Sequence, residues 1–115
     1  MSYFMITVEL GDKLADLVTE QAQWSQATFG TDASRGPLGA LKHLAKEAVE
    51  AQESVGCKSD FTTEMADCLL LVLDASRRGG VKVMQLIEAA QVKMQINKAR
   101  EWPKPTSDEP VEHVR

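Results

Sequence analysis

Between Leu10 and Phe29 apolar residues fall at Leu10, Leu14, Leu17, Val18, Ala22 and Trp24, a three-and-four spacing that predicts a helix over 10–29. Residues 30–36 (Gly-Thr-Asp-Ala-Ser-Arg-Gly) are loop by composition, and Pro37 is placed as the first residue of a second helix reaching about Ser54. That helix has an apolar arc of Leu38, Leu41, Leu44, Ala45, Ala48 and Val49. After a turn at 56–60, Asp60 is positioned to cap a third helix running to Arg78. Met65, Ala66 and the run Leu69 to Leu73 point in nearly all directions around this helix, the pattern of a buried one. Arg77, Arg78, Gly79 and Gly80 have the chemistry of a helix C-terminus. A fourth helix is predicted over 81–101, ended by Pro103, with Pro105 and Pro110 keeping the tail extended. Only Phe4 to Val8 alternates with a strand's period. The expected architecture is an all-α four-helix bundle with an extended proline-containing tail, residues 1–115 forming a single domain.

Composition narrows the function classes. The chain has 115 residues, 43% hydrophobic and 26% charged, in the range of ordinary globular domains. Thirteen Lys and Arg against 17 Asp and Glu give a net charge of −4, which argues against a grip on nucleic acid. The longest apolar run, Cys68 to Leu73, is far shorter than the roughly 20 residues that cross a bilayer. Met1 to Met5 carries no positive charge of a leader, and Cys57 and Cys68 fit free thiols, so a cytoplasmic protein is expected. A domain this small covers little of its own surface, and self-association is the expected answer.

The carboxylates carry the chemical information. On the third helix Glu64, Asp67 and Asp74 share an arc of about 80°. Asp74 has Arg77 and Arg78 at i+3 and i+4, whereas Glu64 and Asp67 have no basic residue within a turn. On the second helix Glu47 and Glu50 lie one turn apart, with Glu47 at the edge of the apolar arc beside Ala40 and Ala51. Joined by a short turn, the two helices run antiparallel and can aim all four carboxylates at one point. Such a cluster stays ionised only with cations, and hard oxygen ligands suit Mg²⁺ or Mn²⁺. Glu47 and Glu50 equally fit a solvated helix face. A di-iron site is a poorer match, because it calls for Glu-x-x-His on two helices and the chain's histidines are His43 and His113.

The fourth helix supplies opposite charge. Lys93, Asn97 and Arg100 continue the stripe of Leu86, Ala89 and Ala90 within an arc of about 60°, and suit polyphosphate oxygens or a solvated helix end. Trp24 is either a core residue, the commoner outcome, or a stacking platform for a base. Gln23, Ser25 and Gln26 are candidate donors to a base edge. His43, at i−4 from Glu47, either pairs with that carboxylate or contacts nucleotide. A non-catalytic helical module that binds nucleotide or another chain through its acidic face fits the same features.

Glu47-x-x-Glu50 followed after thirteen residues by Glu64-x-x-Asp67 resembles the MazG-like all-α nucleoside triphosphate pyrophosphohydrolases. The likeness is nearer to the dATP/dGTP pyrophosphohydrolase branch of bacteria and their phages. It extends over residues 17–115 through Trp24-Ser25, Phe29-Gly30, the segment His43 to Glu50, the segment Asn97 to Pro103 and the final Pro110 to Arg115. Where the broader family often carries a further glutamate, this chain has Lys46. The resemblance implies cleavage between the α and β phosphates of a purine nucleotide, dGTP first and dATP second, releasing monophosphate and pyrophosphate. It implies Glu47, Glu50, Glu64 and Asp67 as ligands of two or more Mg²⁺ ions, with Mn²⁺ a substitute, and Glu47 or Glu50 as the base for the attacking water. Lys93, Asn97 and Arg100 would hold the outer phosphates, and Trp24, Gln23 and His43 the nucleoside. A homodimer or homotetramer is implied, in the host cytoplasm if the chain is phage-encoded.

Overall fold

Four helices account for most of the chain: α1 (Tyr3–Phe29), α2 (Leu38–Glu53), α3 (Lys58–Arg78) and α4 (Val83–Ala99). The computed structural model describes residues 3–115, with side chains from residue 7 onward. Met1 and Ser2, at the head of the segment read for a leader, lie outside the described residues. The expected class holds: among the described residues there is no strand. The strand-like alternation of Phe4 to Val8 is absorbed into α1, which begins at Tyr3. No proline separates that stretch from the periodic pattern after it, and helix growth from an existing turn needs only one more hydrogen bond per residue fixed. No described helix is long and apolar enough to cross a membrane.

Two compact units divide the chain, Met1–Val83 and Met84–Arg115. Within the first, α2 and α3 make the most extensive contact and α1 packs on α3. Ser54–Cys57 is the only chain between α2 and α3, and Gly56 turns it at φ 111°, a left-handed value that a side chain would strain. So short a link makes the two helices antiparallel neighbours. Ala40 and Ala51 on α2 are buried, and their small side chains allow α3 to come close. On α3 the buried residues are Leu73, Asp74, Ala75 and Arg78.

The structure changes two details of the third helix. Its capping position is held by Cys57 without a side-chain bond, and Asp60 sits in the first turn, where a carboxylate meets the positive end of the helix dipole. Nor is α3 buried all round. Met65 and Leu69 are 48% and 47% exposed, because α1 and α2 cover only part of its circumference.

The second unit holds α4 and a non-helical tail. The tail doubles back: Val114 N donates to Glu101 O at 2.7 Å, and the Trp102 ring meets His113 edge-on at 5.8 Å. Trp102 Nε1 also donates to Asn97 O at 2.7 Å, closing the end of α4.

Candidate active site

Glu47 on α2 and Glu64 and Asp67 on α3 come together, one carboxylate oxygen of each lying within 4.8 Å of the others. Opposed oxygens around one Mg²⁺ or Mn²⁺ stand about 4.2 Å apart. The spacing of the cluster therefore approaches that of a coordination shell. Antiparallel packing brings this about, since Glu47 lies near the end of α2 and Glu64 near the start of α3, a short turn apart. Glu50, expected as the fourth member, is exposed and stands outside this group of three, near enough to Glu47 for the two carboxyls to influence each other's titration.

Burial makes this arrangement costly. Oε2 of Glu47 and Oε2 of Glu64 are fully buried and lack a hydrogen-bond partner. A buried acceptor without a donor loses its hydration with nothing in return. Titration follows the same logic. Burial first, then Glu47 and the charges of Glu50 and Asp67, push the Glu64 carboxyl above the usual carboxylate range. Glu50 is pushed up by hydrogen bonding to Glu47 and by its charge, and Glu47 is held down chiefly by that same bond. Hard anionic oxygens on two helices, two of them orphaned, fit a divalent cation.

A cavity of about 380 Å³ opens from this cluster, with Glu47 and Asp67 in its wall and Leu17, Leu70 and Leu71 forming an apolar middle. Trp24 also lines it and is 58% exposed, so it is not a core residue. Phe29 holds its indole edge-on at 5.3 Å, and Arg35 lies over the Phe29 ring at 5.7 Å. His43 lines the cavity, and its Nε2 lies 3.0 Å from Glu47 Oε1, the pairing with that carboxylate. Gln23 is exposed and lies outside the cavity lining. Ser25 and Gln26 are engaged within the protein rather than left for a base. Ser25 is 1% exposed and donates to Asp74, while Gln26 accepts from Asp32 N.

A buried network at the cavity wall went unread beyond its arginines. Asp74 Oδ1 accepts from Gln21 Nε2 at 2.9 Å, Ser25 Oγ at 2.6 Å and Arg77 Nη2 at 2.6 Å, and Oδ2 accepts from Arg78 Nε at 3.0 Å. Arg77 also reaches Asp32 and Gln21, and Arg78 reaches Ser25, Thr31 and Arg35. Burial pushes the Asp74 carboxyl up, but these four donors together hold it well below the usual carboxylate range. Gln21, at i−4 from Ser25 and thus on the same face of α1, was the available signal.

In the second unit Lys93 is exposed on α4, Asn97 is half-buried in its last turn, and Arg100 is half-buried just beyond its end. The Asn97 carbonyl accepts from Arg100 N at 3.3 Å and from Trp102 Nε1.

Comparison with known proteins bears on the carboxylate site. A family model described as dATP/dGTP pyrophosphohydrolase matches residues 17–115. The Eaa protein of Salmonella phage P22 is 44% identical over 96 residues, covering 84% of this chain and 28% of that protein, so the chain spans little more than a quarter of that relative's length. The MazG-like pyrophosphohydrolase of cyanophage S-2L, solved with dGDP and three catalytic Mn²⁺ ions per active site, is 30% identical, with 88% of this chain and 92% of that chain covered and a TM-score of 0.65. This chain belongs to the dATP/dGTP pyrophosphohydrolase family, a branch of the MazG-like nucleoside triphosphate pyrophosphohydrolases.

Proposed function

We propose that the chain hydrolyses purine deoxynucleoside triphosphates, dGTP ahead of dATP, to the monophosphate and pyrophosphate with Mg²⁺ or Mn²⁺. The observation that carries this reading is the pair of buried, partnerless oxygens of Glu47 and Glu64, beside a cavity that Glu47, Asp67 and Trp24 line. The cyanophage protein's dGDP and its three Mn²⁺ ions support both the nucleotide and more than one ion per site. Glu47, Glu50, Glu64 and Asp67 hold the cations, which when bound polarise the α-phosphate and acidify a water molecule. Glu50, the most exposed of the four, with a carboxyl raised chiefly by Glu47, is the first candidate to accept the attacking water's proton, and Glu47 is the other. Trp24 stacks on the base and His43 orients Glu47. Lys93 and Arg100 offer positive charge, and Asn97 a neutral amide donor, suited to phosphate oxygens.

Incubating the protein with each of the canonical ribo- and deoxynucleoside triphosphates and Mg²⁺ or Mn²⁺ tests this. Monophosphate and pyrophosphate in equal amounts are expected, fastest from dGTP; release of single phosphate rejects the reaction type. If no nucleotide with metal raises the melting temperature, the chain is an interaction module instead. Trp24→Ala is expected to raise KM by about 10- to 100-fold through lost stacking, with a smaller change in kcat. Equal effects on both would assign Trp24 a different task.

Exposed Met65 and Leu69 on α3, with Leu41 and Val49 on α2, support a homodimer or homotetramer. Sedimentation equilibrium is expected to return a multiple of the chain mass.

A further inference from the structure

Asp74 lies seven residues beyond Asp67 on α3, about 10 Å along the helix and on the same face. Both line the one cavity. A nucleotide whose phosphates sit at Asp67 and Glu47 and whose base stacks on Trp24 therefore presents the base edge toward Asp74 and Gln21. Resting on the function proposed above, we infer that Asp74, with Gln21, selects guanine over adenine by accepting hydrogens from the base edge.

The argument is a count of free hydrogen-bonding capacity. The Ser25 hydroxyl gives its hydrogen to Asp74 and accepts from Arg78 Nη2 at 2.9 Å, so it is spent. Among the described residues, Asp74 Oδ1 receives three donors while Oδ2 receives only Arg78 Nε, which leaves Oδ2 able to accept again. The Gln21 amide cannot turn over. Its nitrogen must face Asp74 and its oxygen must face Arg77 Nη1 at 2.5 Å. It retains one hydrogen and one lone pair. The spare capacity is thus acceptor-rich, with a single donor.

Guanine has the complementary edge: N1–H and the 2-amino group donate, and O6 accepts. Adenine presents an unprotonated N1 and one amino group, and its N1 lone pair would meet a carboxylate. That carboxylate stays ionised throughout the working pH range, because its four donors stabilise the charge. Hypoxanthine, with N1–H but no 2-amino group, falls between the two bases.

Two measurements on the intact protein test the selection. In turnover with Mn²⁺, kcat/KM is expected to fall from dGTP to dITP by about 10-fold or more, and again from dITP to dATP. In equilibrium binding without metal, dGMP is expected to bind more tightly than dIMP, and dIMP more tightly than dAMP. Asp74→Asn, which exchanges an acceptor for a donor, is expected to flatten both series. Equal values for the three bases in the wild-type protein overturn the inference, and they do so even where Asp74→Asn fails to fold. A protein that splits none of the triphosphates refutes the proposed activity, and the monophosphate binding series still decides the base selection.

Discussion

Glu64→Gln is expected to lower turnover by about 10³-fold or more, a loss beyond the 10- to 100-fold that outer partners of a metal site cost. The same substitution is expected to raise the melting temperature of the metal-free protein. Both effects have one origin. Glu64 brings an orphaned buried oxygen and a charge that Glu47, Glu50 and Asp67 oppose. An amide keeps the shape, removes the charge and can donate to Glu47. The pH dependence separates this from simple repacking. A carboxyl raised in the folded state binds protons more readily there than in the unfolded chain. The metal-free protein therefore gains stability as pH falls from neutrality through the raised range, and loses it again as pH rises. Asp74 runs the other way: its contribution is present above the ordinary carboxylate range and is lost only as pH falls through its depressed value. Between neutrality and the ordinary range the acidic cluster thus sets the slope, and Glu64→Gln is expected to flatten it. Thermal melts of both proteins from pH 7.5 to 5, without metal, measure this. An unchanged slope with full turnover would remove Glu64 from the site.

Arg78→Met is expected to cost about 3–5 kcal/mol of folding stability, the usual loss when one partner of a buried ion pair is removed. Its side chain is 2% exposed and binds Asp74, Ser25, Thr31 and Arg35, fastening the end of α1 and the following loop to α3. Methionine fills much of the volume but supplies none of the donors. Asp74 then depends on Arg77, whose side chain is 21% exposed and partly engaged by Asp32. Arg78→Lys is expected to recover little, since an ammonium cannot span those acceptors as a guanidinium fork does. Urea unfolding gives the number; a loss below about 1 kcal/mol would mean that the network relaxes around the gap.

The fold was legible because helix periodicity is dense and its interruptions are few. Leu38 to Val49 on α2 and the Arg77 to Gly80 ending of α3 read directly as elements. The carboxylate cluster was legible for a related reason. A helix pins i and i+3 to one face, so Glu64 and Asp67 meet Glu47 across a four-residue link, while Glu50 stays exposed outside the group of three. The Asp74 network was only half legible. Arg77 and Arg78 are local partners, while Gln21 and Ser25 come from α1, and no local rule states which face of α1 packs on α3. Trp24 shows the converse. Its apolar spacing fits a core position, and only packing against Phe29 reveals a cavity wall. The start of α1 was missed because five residues of strand-like alternation carry no weight against a helix already growing beside them.

Titrating Mn²⁺ into the metal-free protein, with free ion followed by electron paramagnetic resonance, tests the central claim most directly. Wild type is expected to take up more than one Mn²⁺ per chain, and Glu47→Gln combined with Glu64→Gln to lose that uptake while remaining folded. Uptake by the double variant equal to that of wild type would contradict the account, because the buried oxygens of those two side chains would then not be what holds the cation.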